Sequence, residues 1–119
     1  MSQVFKKTTN SLHYDTLLNS SEYNDETRKI IHISPEDYFR CCAKINERSI
    51  IAEIFSVDDF ERGRINRILE DILEKGEKMP IPVLDYNENK IRGRLEVIVS
   101  DILGLEIIPV LVVRDKKSN

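Results

Sequence analysis

Ile65-Asn66-Arg67-Ile68-Leu69-Glu70-Asp71-Ile72-Leu73-Glu74-Lys75-Gly76 is followed by Met79-Pro80-Ile81-Pro82-Val83-Leu84. After a turn come Arg92-Gly93-Arg94-Leu95-Glu96-Val97 and then Leu103-Gly104-Leu105 and Ile108-Pro109-Val110. Ile65, Ile68, Leu69, Ile72 and Leu73 fall at i, i+3, i+4, i+7 and i+8, the stripe of a helix packed on one side. Gly76 is a C-terminal stop. Leu95, Ile98, Val99, Ile102 and Leu103 repeat the same spacing, and Gly104 repeats the stop. Between the two helices, Ile81 to Leu84 reads as a strand, with Pro80 and Pro82 suited to a sheet edge or a strand start. Tyr86-Asn87-Glu88-Asn89 is a turn, and Lys90-Ile91-Arg92 returns as a second short strand. Glu106 to Val113 is a final strand with Ile-Ile-Pro-Val-Leu-Val-Val at its centre.

Upstream, Arg28-Lys29-Ile30-Ile31-His32-Ile33 reads as a strand that ends at Ser34-Pro35-Glu36-Asp37. Ser34 can cap a helix, Pro35 fits its first position, and Asp37 completes a box. The helix runs from Pro35 to Ile45 and buries Tyr38, Phe39, Cys42 and Ile45. Ser49 to Phe55 is β-branched and short, and is expected to be a strand, with helix as the alternative. Ser56-Val57-Asp58-Asp59 is a second cap signal, and Gly63 weakens the helix after it. Residues 1–28 are polar and lack a sustained period. They are expected to form a loosely attached arm in which Leu12, Tyr14, Leu17 and Leu18 make one helical turn that docks on the core. Residues 29–119 then form a single domain, α+β in class, with a small mixed β-sheet packed with helices.

Composition bounds the function. The 119 residues carry a formal charge of −3, with 40% hydrophobic and 33% charged side chains. This is the profile of a globular chain with its own core. Binding nucleic acid by bulk electrostatics favours a basic chain, so contact with DNA needs a local patch. No apolar run approaches the ~20 residues that cross a bilayer, and Met1 to Lys7 lack the apolar stretch of a secretory signal. No membrane partner and a cytoplasmic location are expected. Cys41 and Cys42 are adjacent, a strained geometry for a mutual disulfide and too few ligands for a closed zinc site. They read as small packed side chains. His13 and His32 have no metal-ligating neighbour at the right spacing, so neither a metal nor a cofactor is expected.

The ordered set of Ile30–Ser34, Asp71–Gly76, Pro80–Val83, Gly93, Gly104 and Ile108–Val110 resembles the ParB/sulfiredoxin-like domain over residues 28 to 114. In that family a helix ending in glycine precedes a P-I-x-V strand. A hairpin follows, then a D-G-x-H-R or G-E-R-R signature opening a helix that stops at glycine before I-P-V. Gly93 and Gly104 are eleven apart, as that helix requires. The resemblance implies the family's fold and an active loop at Arg92-Gly93-Arg94-Leu95-Glu96. Here, however, Arg92 stands at the acid, Leu95 at the histidine or first arginine, and Glu96 at the next arginine. Leucine cannot transfer a proton or clamp phosphate, and the cysteine of sulfiredoxin chemistry is absent from the loop. A non-catalytic, degenerate member is therefore expected, with no catalytic residue.

A binding role survives on physical grounds. A helix start presents unpaired N–H groups that favour anions, and Arg92 and Arg94 flank Gly93. Arg92, Gly93 and Arg94 are candidate contacts for a phosphate of DNA or of a nucleotide. Glu96, in the same turn, competes for the helix dipole. Glu74 sits where the resembled family places an acid near its site. Two alternatives stand beside this reading. One is a protein-interaction or self-association module. The other is a metal-dependent nuclease or phosphotransferase built on Glu74, Glu96 and an arginine. Glu70, Asp71 and Glu74 otherwise make a solvated acidic face, and Arg62, Arg64 and Arg67 a small basic patch held by local salt bridges.

Overall fold

The computed structural model describes residues 14–15 and 28–114. Among the described residues ten elements follow one another: β1 (Tyr14–Asp15), β2 (Arg28–Ile33), α1 (Pro35–Asn46), α2 (Ile50–Phe55), α3 (Asp59–Lys75), β3 (Met79–Pro80), β4 (Val83–Asp85), β5 (Lys90–Arg92), α4 (Arg94–Ile102) and β6 (Ile108–Val113). The class is α+β. A four-stranded mixed sheet has the order β2-β6-β4-β5, with β6 parallel to β4 and antiparallel to β2. A separate parallel pair joins β1 to β3, Tyr14 opposite Met79.

The sequence builds each helix end locally. Ser34 Oγ accepts the Asp37 N–H at 3.0 Å, and Pro35 occupies the first turn of α1. At α3 the capping box is complete: Asp58 accepts the Glu61 N–H at 2.8 Å, while Glu61 Oε1 accepts the Asp58 N–H at 3.3 Å. Both glycine stops close as paired C-terminal bonds. Gly76 and Glu77 donate to Ile72 and Asp71, and Gly104 and Leu105 donate to Asp101 and Ser100.

Ser49 to Phe55 is not a strand. It is α2, with Ser49 Oγ accepting the Ala52 N–H at 3.1 Å. A strand would alternate Ile50, Ala52 and Ile54 against Ile51, Glu53 and Phe55. The helix instead turns Glu53 fully inside and leaves Ile51 and Phe55 outside. The cap and the partners of the Glu53 carboxylate outweigh a weak β-branched preference. Tyr14 also departs from expectation. It pairs in β1 rather than turning in a helix, although it does dock on the core, as expected. Leu12, Leu17 and Leu18 lie outside the described residues.

The core forms where helices meet the sheet. Tyr38, Phe39 and Cys42 of α1, Ile65 and Ile72 of α3, and Leu95, Val97 and Val99 of α4 close on Leu84, Ile108 and Val110. Helix α4 packs against both α1 and α3. This is why Val97 and Ser100, outside its apolar stripe, are buried as well. The last apolar position of α3's stripe, Leu73, is exposed, as is Ile102 near the end of α4's. Ile81, Val83, Leu111 and Val113 form a smaller cluster, and the alternation of β6 puts it on the other face of the sheet. Paired with β6 on one side and β5 on the other, β4 is an interior strand, so Pro80 and Pro82 mark its approach and not an edge.

Cys42 has no exposed surface, and burial pushes its thiol up from 9.0 to about 12. Burial likewise raises Tyr14 and Tyr38, with smaller upward contributions from Glu96. All three groups hold their proton more tightly folded than unfolded. The Cys42 contribution is complete below pH 9 and is lost as pH rises from 9 through about 12, while those of Tyr14 and Tyr38 begin to be lost only above pH 10. Urea midpoints should fall steadily over that interval. Cys42 should resist a thiol reagent at pH 8 until the chain unfolds, and reaction of both cysteines in the folded protein would contradict the packing of α1.

Candidate functional site

Gly93 sets the geometry of the corner where β5 becomes α4. Its φ is +88°, a left-handed conformation, and an added Cβ would lie 2.9 Å from the Pro82 Cα. Glycine is thus required both by its dihedral and by its neighbour. The close approach it permits is to Pro82, whose carbonyl accepts the Leu111 N–H at 2.9 Å. On the other side, the Tyr38 hydroxyl donates to the Arg92 carbonyl at 2.7 Å. Sheet and α1 together fix where α4 begins.

No side chain caps that beginning. The first turn of α4 opens onto a cleft of about 400 Å³. Gly93, Leu95, Ile81 and Ile91 line it, and α3 contributes Glu61 and Arg64. Arg92 and Glu96 complete the charged lining beside Arg94. Three arginines therefore face two glutamates around an unblocked helix N-terminus.

The two arginines flanking Gly93 have different roles. Arg94 is 14% exposed, and its guanidinium is held inside the protein. Nε donates to the Glu53 carbonyl at 2.6 Å, Nη2 donates to the Ser56 carbonyl, and Nη1 faces Glu61 Oε2 at 3.5 Å. Behind it lies Glu53, 0% exposed, its carboxylate 3.9 Å from Arg94 Nε and 3.7 Å from Arg48 Nε. Asn46 Nδ2 donates to Glu53 Oε2 at 3.0 Å, while Oε1 is buried without a hydrogen bond. Arg94 thus connects α2, the loop after it, α3 and α4. Arg92 is exposed on the last residue of β5, and Arg64 is exposed on α3.

Of the sequence candidates, the fold brings Arg92, Gly93, Arg94 and Glu96 together. Glu74 is elsewhere, exposed near the end of α3 and absent from the cleft lining. Of the two carboxylates on which a metal-dependent enzyme would rest, Glu96 lines the cleft and Glu74 does not. Among the described residues no group of three or more His, Cys, Asp or Glu side chains could hold a metal ion. His32 is exposed on β2, and His13 lies outside the described residues. Glu61 and Arg64 were not expected at this site. Their signal was present, because the capping box fixes Glu61 at the start of α3 and Arg64 follows within the same turn. Missing was the knowledge that α3 and α4 pack together. Among the described residues, within the basic patch only Arg62 finds an acid, Asp59 at 4.0 Å, and it also donates to the Val57 carbonyl.

No helix among the described residues is long and apolar enough to cross a membrane. No protein-family model, no curated protein and no solved structure matches this chain.

Two substitutions test this account of the corner. Gly93→Ala should cost ~2–4 kcal/mol, from the left-handed backbone and the contact with Pro82. Arg94→Met should cost ~3–5 kcal/mol, because it strands a buried carboxylate. Adding Glu53→Gln to Arg94→Met should recover a large part of that loss in urea unfolding. An Arg94→Met chain as stable as the parent would remove Arg94 from its structural role.

Proposed function

We propose that this chain is a degenerate member of the ParB/sulfiredoxin-like family that binds the phosphate of a nucleotide or of DNA without transforming it. The observation that carries the reading is the uncapped start of α4 in the lining of a cleft to which Arg64 and Arg92 also contribute. Backbone N–H groups and the helix dipole favour an anion at that point. Arginine adds planar, charge-assisted donors suited to phosphate. Arg94, held by two carbonyls and Glu61, serves as scaffold; Arg92 and Arg64, exposed side chains that line the cleft, are the proposed phosphate contacts.

Size and charge favour a nucleotide over a duplex. A cleft of about 400 Å³ is within the range of small-molecule sites. A chain of net charge −3 offers little bulk attraction to a polyanion. Glu61 and Glu96 also oppose a long run of phosphates, while their carboxylates can accept hydrogen bonds from the hydroxyl or amino groups of a nucleoside. The absence of catalysis follows from the loop. Leu95 and Glu96 stand where the resembled signature has an imidazole or an arginine. The cleft lining contains no His, Cys, Ser, Thr or Lys among the described residues.

Titration of the chain with labelled nucleoside triphosphates and with a labelled duplex, at low salt, tests the proposal. Nucleotide binding is expected, weakened about tenfold in Arg92→Ala and in Arg64→Ala, as for loss of one charge-assisted contact. Glu96→Gln should tighten it. If neither probe binds, the phosphate site is wrong. Release of inorganic phosphate from a bound triphosphate would instead overturn the non-catalytic part.

A further inference from the structure

On the outer side of α3 runs a second groove, about 630 Å³, to which Asp59, Phe60, Gly63, Arg64, Arg67 and Asp71 contribute. Three of its features lack an explanation within the chain. Phe60 is 74% exposed, although it is a large aromatic at the start of a long helix. Gly63 sits within α3, where glycine is the poorest choice after proline. A Cβ there would meet nothing within 4 Å, so no internal contact requires its absence. Arg67 is exposed and makes no ion pair among the described residues, while Asp59 reaches Arg62 only at 4.0 Å.

A second α3 accounts for all three. Two such helices crossing antiparallel about a twofold axis at Gly63 place residue i opposite residue 126 − i. Asp59 then meets Arg67 of the other copy, and Arg67 meets its Asp59, because 59 and 67 are each four residues from 63. Glycine facing glycine lets the two backbones approach, as small residues do at close helix crossings. Phe60, on the same side of the helix, covers the neighbouring helix surface. The contact is isologous: one patch is complementary to itself, as a closed dimer requires. A register centred two residues further on would instead set Asp59 against Asp71, which disfavours it. We propose that this face of α3 is a self-association surface whose occupant is a second copy of the chain, docked antiparallel through Gly63 with reciprocal Asp59–Arg67 pairs.

A contact made mainly by one helix from each copy is smaller than a standard interface, so the dimer should be weak and concentration-dependent. Sedimentation velocity of the full chain, from about 10 μM to about 1 mM, should show a monomer–dimer equilibrium. Arg67→Asp creates two like-charge contacts per dimer and should weaken association about tenfold. Asp59→Arg combined with Arg67→Asp restores opposite charges and should return association to near the parent level. Gly63→Leu should abolish the dimer while raising the melting temperature, since it improves the helix and blocks the approach. Circular dichroism checks that each variant is folded. A chain that stays monomeric to about 1 mM overturns the proposal and leaves the stripe to a different partner or to none. So does a dimer indifferent to Gly63→Leu, and so does a charge swap that fails to rescue. Residues 59, 63 and 67 do not line the cleft at Gly93, but Arg64 borders both cleft and groove, so the nucleotide titration is run at concentrations where the chain is monomeric, and the two tests then fail independently.

Discussion

The contact between the Arg94 guanidinium and the Glu53 segment is the interaction on which the arrangement of the helices depends. Glu53 is fully buried, and a buried carboxylate is tolerated only with compensating charge and hydrogen bonds. Asn46 and Arg48 reach it from the end of α1 and the turn after it, and Arg94 reaches it from the far side. Arg94 also ties down the carbonyls of Glu53 and Ser56. A six-residue helix such as α2 has little stability of its own. Its position is therefore set by polar contacts at its ends as much as by apolar packing. The compensation is incomplete, since one Glu53 oxygen has no hydrogen bond. Such a group adds specificity of placement more readily than net stability.

Arg94 and Gly93 then share a task that their sequence position does not reveal. Each side of the β5–α4 corner is fixed by a contact with a distant segment: Pro82 against Gly93, Tyr38 against Arg92, and Glu53, Ser56 and Glu61 against Arg94. The helix start is thereby held open and in one orientation. This is the condition for its N–H groups to act together on a ligand rather than fray. Glu61 has a double part. One oxygen closes the capping box of α3 and the other faces Arg94, so the cap of one helix helps position the beginning of another.

Much of the fold was legible because it is written in local chemistry. The stripes of α3 and α4, the stops at Gly76 and Gly104, the Ser34-Pro35 start and the apolar run of β6 each depend on neighbours within a few residues. The failures share the opposite property. Ser49 to Phe55 looks like a strand by composition, and only its long-range partners make it a helix. The placement of a charged Glu53 inside Ile50-Ile51-Ala52-Glu53-Ile54-Phe55 was the available warning, because a strand would have exposed it with Ile51 and Phe55. Tyr14 could be read as docking on the core, but not as a strand, since its partners Met79 and Ser100 lie far along the chain. At the site, Gly93 was identified as special, but its contact is with Pro82. The division of labour between Arg92 and Arg94 could not be read from two arginines flanking one glycine.

Strand β6 lies between β2 and β4, yet it follows both in the chain. The four-stranded sheet therefore has no pairing partner for β2, and only the short β4–β5 hairpin, until β6 has been made. During synthesis the helices can form first, because their contacts are local. The sheet must wait for loop closures spanning most of the domain, Arg28 to Val113 being the widest in the β2–β6 ladder. In that interval the edge of β2 and the apolar residues destined for β6 remain without each other, a state that favours pairing with foreign strands. The order of the strands thus makes the final step of folding the slowest and the most exposed to aggregation, and it concentrates that risk in one six-residue segment.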